Sequence, residues 1–305
     1  MNKVLVSVII PTYKRSNMLE RAINSALNQT LEAIEVIVVD DNNPDTEYRK
    51  STEAFMQRYA DDSRVVYIKH ESNKNGAAAR NTGIKNAKGE YIALLDDDDF
   101  FYPTKLIKQV EYLSMHPEYE GVYCGRVQNG KEILGEYIGD LSEYILTQKF
   151  TPTTPALMFR KEALIEIGGF DESFRRHQDY ELLLKFFRKF EMGAIKEPLV
   201  EIGTNFGENE LHGNELEDNK HKFLKLFEDD INRIDGFNPG FKKEVYIVNL
   251  RAVFCDHLSM HKYQNAWKIY KKGCKLSFVK FNINIFNYVM YYIKVKIRKK
   301  LKHKH

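Results

Sequence analysis

Along the first hundred residues, short apolar runs alternate with segments whose apolar positions recur every three or four residues. Val4–Ile10 is a β-branched run, the pattern of a strand covered on both faces. Beyond it, Leu19, Ala22, Ile23, Ala26 and Leu27 share one helical face, and Ser16 stands where a cap is expected. Glu35–Val39, Val65–Ile68 and Tyr91–Leu95 repeat the strand pattern, with helices expected over Thr46–Tyr59 and Ala77–Ala87. Strands and helices alternating in this way predict a parallel sheet with helices on its faces. Later elements are less regular: a helix over Lys105–Met115, a strand over Gly121–Val127 ending in an Asn129–Gly130 turn, and short helices over Arg160–Ile167 and Tyr180–Phe190. From Glu215 onward the pattern is helical, with a turn at Asn238–Pro239–Gly240. The expected organisation is an α/β domain over residues 1–215 and a helical, basic region over 216–305.

Charge sharpens that division. The 305 residues carry 46 Lys+Arg against 43 Asp+Glu, a formal +3. No acidic residue follows Asp256, so the 13 Lys/Arg of residues 257–305 give that end +13, while 33 basic and 43 acidic groups leave the rest at −10. A hydrophobic content of 43% excludes a wholly disordered chain. Cys124, Cys255 and Cys274 are far apart, which argues against a disulfide scaffold or a cysteine zinc site and fits a reducing cytoplasm. Met1–Val8 enters a strand-like run without the pattern of a secretory leader. The apolar stretch Phe281–Ile293 is broken by three asparagines and is shorter than the roughly 20 residues a membrane span needs.

In an open α/β sheet, ligands bind beyond the carboxyl ends of the strands. Three such ends carry unusual residues: Pro11–Arg15, Asp40–Asn43 and the tetrad Asp96–Asp99. Four adjacent carboxylates raise one another's pKa, a penalty that a divalent cation with oxygen ligands would remove. Asp41 is placed to accept a hydrogen bond from a nucleobase, and Tyr13 to stack on one; ordinary turn formation and a partly exposed aromatic are the competing explanations. Arg80, in the small-residue helix entry Asn75–Asn81, is suited to a phosphate or an acidic loop residue. Asp179 opens an apolar helix, where it serves either as a cap or as a general base.

Taken together, VSVIIPTYKR (Val6–Arg15), VIVVDDNNPDTE (Val36–Glu47), ARNTGIKNAKGEYIALLDDDD (Ala79–Asp99) and GGFDESFRRHQDYELLLKF (Gly168–Phe186) resemble family-2 glycosyltransferases. The resemblance covers about 180 residues and implies a GT-A fold, Rossmann-like with a mostly parallel central sheet, followed here by a C-terminal helical appendage. It also implies inverting transfer of a hexosyl or N-acetylhexosaminyl group from a nucleotide-sugar, usually a UDP-sugar. By that likeness Asp98 is the metal ligand for Mg2+ or Mn2+, with Asp96 and His212 as further candidates. Asp96 and Asp97 lie near the donor ribose or sugar, Asp41 binds the base, Tyr13 stacks on it, and Pro11 and Arg80 complete the donor site. The catalytic base falls on Asp179, although the family's Glu-Asp pair is Gln178-Asp179 here. The acceptor pocket is expected from the least recognisable segments, Gly121–Thr154 and Leu199–Asn219.

Rival chemistries fit poorly. Nucleotidyl transfer would need a glycine-rich loop after the first strand, and Pro11–Arg15 has none. A non-catalytic nucleotide-sugar-binding or scaffold subunit stands as the alternative. Aromatic and aliphatic residues from Leu276 to Ile293, followed by the cationic run Lys294–Lys304, suit peripheral contact with an anionic membrane through residues 276–305. A solvated lysine tail is the competing explanation, and the −10 body disfavours nucleic acid. The expected setting is cytoplasmic, on the inner face of the membrane, with a glycan or lipid-linked acceptor in bacterial surface polysaccharide synthesis.

Overall fold

The structure is a computed structural model, which describes residues 3–203 and 211–302; the side chains of 291, 292 and 294–302 are outside it. By packing, the chain divides into two compact units, Met1–Ser142 with Thr151–Asn209, and Glu143–Phe150 with Glu210–His305.

The first unit is built on a nine-stranded sheet. Its opening half comprises β1 (Val6–Thr12), β2 (Ile34–Asp40), β3 (Val65–Lys69) and β4 (Tyr91–Leu94), in the order β3-β2-β1-β4 and parallel throughout. Helices α1 (Ser16–Leu27), α2 (Glu47–Met56) and α3 (Gly76–Asn86) connect them. Each of β1, β2 and β4 is buried almost end to end, as runs of Val and Ile without alternation require. Helix α3 presses so closely on β1 that a Cβ on Gly83 would stand 2.3 Å from the Ile9 side chain, so only glycine fits there.

Past β4 the sheet becomes mixed. After β5 (Phe100–Phe101) and α4 (Lys105–Met115) come β6 (Gly121–Gln128) and β7 (Lys131–Ile133), joined through Asn129 and Gly130, both at positive φ. Then follow α5 (Ser142–Leu146), β8 (Leu157–Arg160), α6 (Lys161–Glu166), α7 (Gln178–Phe187) and β9 (Met192–Ile202). Strand β8 sits antiparallel between β4 and β6, and β9 lies beside β6 with β5 on its far edge. The mostly parallel sheet expected is therefore parallel in its first half and mixed in its second. Two antiparallel steps return β6 to the direction of β4, so both strands release their carboxyl ends at one edge.

The expected cap also shifts. Ser16 is the first residue of α1 rather than its cap, and Arg15 precedes it without a side-chain capping bond. By contrast, Thr46 caps α2 by accepting from Arg49 N (3.2 Å), and Asn75 caps α3 by accepting from Ala77 N (2.9 Å).

The second unit is helical: α8 (Asn214–Leu226), α9 (Glu228–Phe237), α10 (Phe241–Ser259) and α11 (Tyr263–Lys302), the last broken at Ser277 by extended backbone. Phe223, Phe227, Ile231, Val245 and Phe281 are among its buried residues. Among the described residues, no helix is long and apolar enough to cross a membrane.

Candidate active site

The carboxyl ends of β1, β2 and β4 bring Pro11–Arg15, Asp40–Asn43 and Asp96–Asp99 to one edge, as the parallel register dictates. At that edge nearly every acid has a partner supplied by the chain. Asp97 accepts from the Thr12 hydroxyl at 2.9 Å and pairs with Arg15 at 3.4 Å; Arg15 also reaches Asp98 at 3.2 Å. Asp96 pairs with Arg80, and Asp99 accepts from Gly203 N at 2.7 Å. Burial pushes the Asp97 carboxyl up to about 7 against the pull of Arg15 and Thr12, and burial raises Asp99 as well, with Asp96 adding to it. The repulsion within the tetrad is thus relieved by two arginines and by raised pKa values. This removes the electrostatic need for a metal as an argument, though not the capacity for one.

Among the described residues, no three His, Cys, Asp or Glu side chains converge to chelate a cation. Mg2+ and Mn2+ characteristically take one or two carboxylates and complete their shell with phosphate oxygens and water. The half-exposed Asp96 and the more enclosed Asp98, with side chains 33% and 16% exposed, suit that donor set. Their arginine partners would have to move aside for an ion. His212 lies in the second unit, where its Nδ1 meets Asp256 at 2.7 Å.

Asp41 is more deeply committed than the sequence indicates. Its side chain accepts from Lys74 N (2.9 Å), Asn73 Nδ2 (2.7 Å) and Asn75 N (2.8 Å), and faces His70 Nδ1 at 2.7 Å. Four partners match the four acceptor sites of a carboxylate. Asp41 therefore pins the loop leading into α3, and a nucleobase N–H would have to replace one of those donors. Its neighbour Asp40 is fully buried against Arg49 (3.1 Å) and the Tyr67 hydroxyl (2.5 Å). Tyr13 keeps an exposed ring, with the Lys14 ammonium 4.9 Å from its centre. Pro11 pairs in register with Val39 of β2.

Helix α3 ties this edge to α7. The guanidinium of Arg80 bridges Asp96 and Gln178, donating to Gln178 Oε1 at 3.0 Å. Glutamine in place of the family's glutamate thus keeps the acceptor and loses the charge. One helical position on, Asn81 accepts from Phe170 N (2.9 Å) and donates to Phe170 O (2.9 Å). That clasp fixes the turn at Gly169, whose φ of 62° and 2.6 Å approach to Asn81 admit no side chain.

Asp179 occupies the first turn of α7, partly open to solvent, and accepts from Tyr180 N at 3.0 Å. Burial raises its pKa, opposed by the nearby Arg80 and reinforced by Asp96. Three residues here escaped the sequence reading. Thr12 and Arg15 hold the tetrad, and Arg126, on β6, feels the charge of Asp179. A cation two residues past Tyr13 at a strand end was a usable signal for Arg15. Within the expected acceptor segments, residues 204–210 lie outside the described residues.

The site is thus an acid-lined edge at the carboxyl ends of parallel strands with Asp179 on the adjoining helix, and comparison with known proteins gives the family and the fold. Residues 7–180 match the family described as Glycosyl transferase family 2, and the chain belongs to it. It is 33% identical over 267 residues to an uncharacterised glycosyltransferase of Rickettsia prowazekii, covering 80% of this chain and 79% of that protein. Other rickettsial relatives are longer, and the chain spans 59% of one and 31% of another. Staphylococcus aureus TarS residues 1–349, solved with UDP-GlcNAc, superposes with a TM-score of 0.61 at 16% identity, covering 94% of this chain and 92% of that one. The mannosyltransferase PcManGT of Pyrobaculum calidifontis, solved with GDP-Man and Mn2+, gives 0.58 at 16% identity, covering 88% and 75%. At those identities the likeness is one of fold. The protein is a family-2 glycosyltransferase with a GT-A fold and a C-terminal helical region.

Proposed function

We propose that the protein transfers a hexosyl or N-acetylhexosaminyl group, with inversion, from a nucleotide-sugar to a hydroxyl of a glycan or lipid-linked acceptor. The observation that carries this reading is the Arg80 bridge, which couples the donor-side Asp96 to Gln178, next to Asp179. The solved relatives binding UDP-GlcNAc and GDP-Man support the donor class, with UDP-sugars favoured by the resemblance of the chain's motifs. In this account Tyr13 stacks on the base, Pro11 borders the nucleoside, and Asp41 meets the base edge or holds the loop that does. Arg80, Asp96 and Asp97 line the donor. Bound at Asp98, with Asp96 as a second ligand, Mg2+ or Mn2+ would supply charge neutralisation for the departing diphosphate. Asp179 takes the proton of the acceptor hydroxyl as that oxygen attacks the anomeric carbon.

The test is Asp179→Asn. Turnover is expected to fall by about 10²–10⁴-fold while nucleotide affinity stays within twofold. Wild-type turnover in that variant would remove Asp179 from the role.

The second unit supports a cytoplasmic enzyme docked on a membrane, as surface-polysaccharide synthesis requires. Beyond the break at Ser277, Val279, Ile283, Phe286, Met290 and Ile293 are all exposed and recur at helical spacing, with Phe278 and Val289 beside them. A stripe of that kind, on an end carrying +13, suits an anionic bilayer. Replacing Ile283 and Phe286 together by Glu is expected to weaken binding to phosphatidylglycerol vesicles at least tenfold. Unchanged vesicle binding would leave a solvated tail as the better account.

A further inference from the structure

Arg126 is largely enclosed and makes no ion pair among the described residues. Its hydrogen bonds are long and go to neutral oxygens: Nε to Gln128 Oε1 at 3.3 Å and Nη1 to the Thr151 carbonyl at 3.4 Å. Enclosed arginines are normally paired, because an uncompensated charge away from water is costly. In the segment that carries that carbonyl, the Thr151 hydroxyl reaches the Tyr180 hydroxyl, and the Thr153 hydroxyl, two residues on, is buried without a hydrogen-bond partner among the described residues. A cation without an ion pair, next to a segment with an unsatisfied buried hydroxyl, is what an anion site looks like when its anion arrives with a ligand.

Register places this group. Phe159 of β8 pairs with Ile92 of β4 on one side and Gly121 of β6 on the other. Ile92 and Gly121 therefore stand level two strands apart, and β6 runs on to Arg126 at the same carboxyl edge as the loop after β4 that holds Asp97. The donor-side acids lie over β1, β2 and β4, whereas Arg126 lies beyond β8. Asp179 is within electrostatic reach of Arg80 and Asp96 on one hand and of Arg126 on the other. Arg126 therefore lies across β8 from the donor-side acids, close enough to Asp179 to feel its charge.

We propose that Arg126, with the hydroxyls of Thr151 and Thr153, binds an oxyanion of the acceptor, a phosphate or a carboxylate adjoining the hydroxyl that is glycosylated. This rests on the glycosyl-transfer reading and adds to it the class of acceptor: a phosphorylated polyol or glycan, or a glycan bearing an acidic sugar. The site selects acceptors by charge and orients the hydroxyl toward Asp179.

The test uses the full chain and saturation-transfer NMR with four small probes: glycerol phosphate and glucuronate as anions, glycerol and glucose as neutral counterparts. Each is titrated with and without saturating UDP, which occupies the donor's own phosphate position. The expected result is saturable binding of one or both anions, competitive with each other and undiminished by UDP, with neutral probes at least tenfold weaker. Arg126→Gln should weaken the anions at least tenfold, Arg126→Lys should weaken them less, and UDP affinity should hold within twofold. A Thr151→Ala/Thr153→Ala double variant gives a second reading that leaves the cation in place, with a twofold or larger loss expected. Phosphate against carboxylate preference distinguishes the two acceptor types. Equal binding of anions and neutral probes, anion binding unaffected by Arg126→Gln, or loss of UDP affinity in that variant would each overturn the proposal. Nucleotides failing to bind while the anion pattern holds would count against the transfer reading and leave this site standing.

Discussion

The two sides of the candidate site are built on opposite electrostatic terms. On the donor side Asp40, Asp96, Asp97 and Asp98 each pair with an arginine, and Asp41 meets four partners from the loop before α3. On the other side, Asp179 and Arg126 make no ion pairs among the described residues. The paired edge is organised before any ligand arrives, and a donor or ion entering it exchanges one set of partners for another. The unpaired side keeps its charge in reserve, the proposed base Asp179 on one element and the Arg126 cation on the next.

The largest expected consequence concerns the base. Because burial raises the Asp179 pKa, the acid limb of kcat/KM should lie above the ordinary carboxylate range. Below that limb activity should drop about tenfold per pH unit as the base is protonated. A profile flat down to pH 4 would show that no such base acts.

Stability should separate the two sides next. Removing a paired arginine strands a buried acid, so Arg49→Met, which leaves Asp40 without its cation, should cost about 3–5 kcal/mol in denaturant unfolding. A loss below about 1 kcal/mol would mean that the paired edge is not the rigid half.

Lys105 gives an intermediate case away from the site. It is fully buried, donating to Gln109 Oε1 at 2.7 Å and lying 4.0 Å from the Phe101 ring centre, and burial lowers its pKa to about 8. Below pH 8 the folded state carries a buried charge, so Lys105→Met should stabilise by about 1–3 kcal/mol. Between pH 8 and 10.5 the unfolded chain holds more protons than the folded one. Wild-type stability therefore rises over that interval and the advantage of the variant shrinks. An advantage that grows with pH would contradict this sign.

The smallest effect is expected at Arg126. With no acid to strand, and with Arg126 only half-buried where Lys105 is fully buried, Arg126→Met should change stability by less than about 1 kcal/mol in either direction. A loss comparable to that of Arg49→Met would reveal a partner and dissolve the contrast.

Much of the paired side was legible in the sequence, because continuous β-branched runs announce buried parallel strands and acids at their ends stand out against them. The other side was hidden. Strand β8 is only four residues, and β9 contains Lys196, Glu197 and Pro198, which read locally as a turn. Pro198 is tolerated because β9 shifts register there, opposite Gly125. Arg126, near the end of β6 in the mixed half of the sheet, looks like any polar edge residue until two antiparallel pairings bring it to the same carboxyl edge as the Asp97 loop. The commitment of Asp41 to the loop at 73–75 was likewise invisible, since its partners lie some thirty residues away along the chain. Charge spacing suggested a metal from repulsion alone, whereas Arg15 and Arg80 come from other elements to relieve it.

The most direct test of the account is release of nucleoside diphosphate by the full chain from a panel of UDP- and GDP-sugars, with acceptors both anionic and neutral, in Mn2+ and in excess chelator. Release from at least one donor, increased by an anionic acceptor and abolished by the chelator, is predicted. Binding of nucleotide-sugars with no release from any of them would contradict it and leave a binding or scaffold subunit in its place.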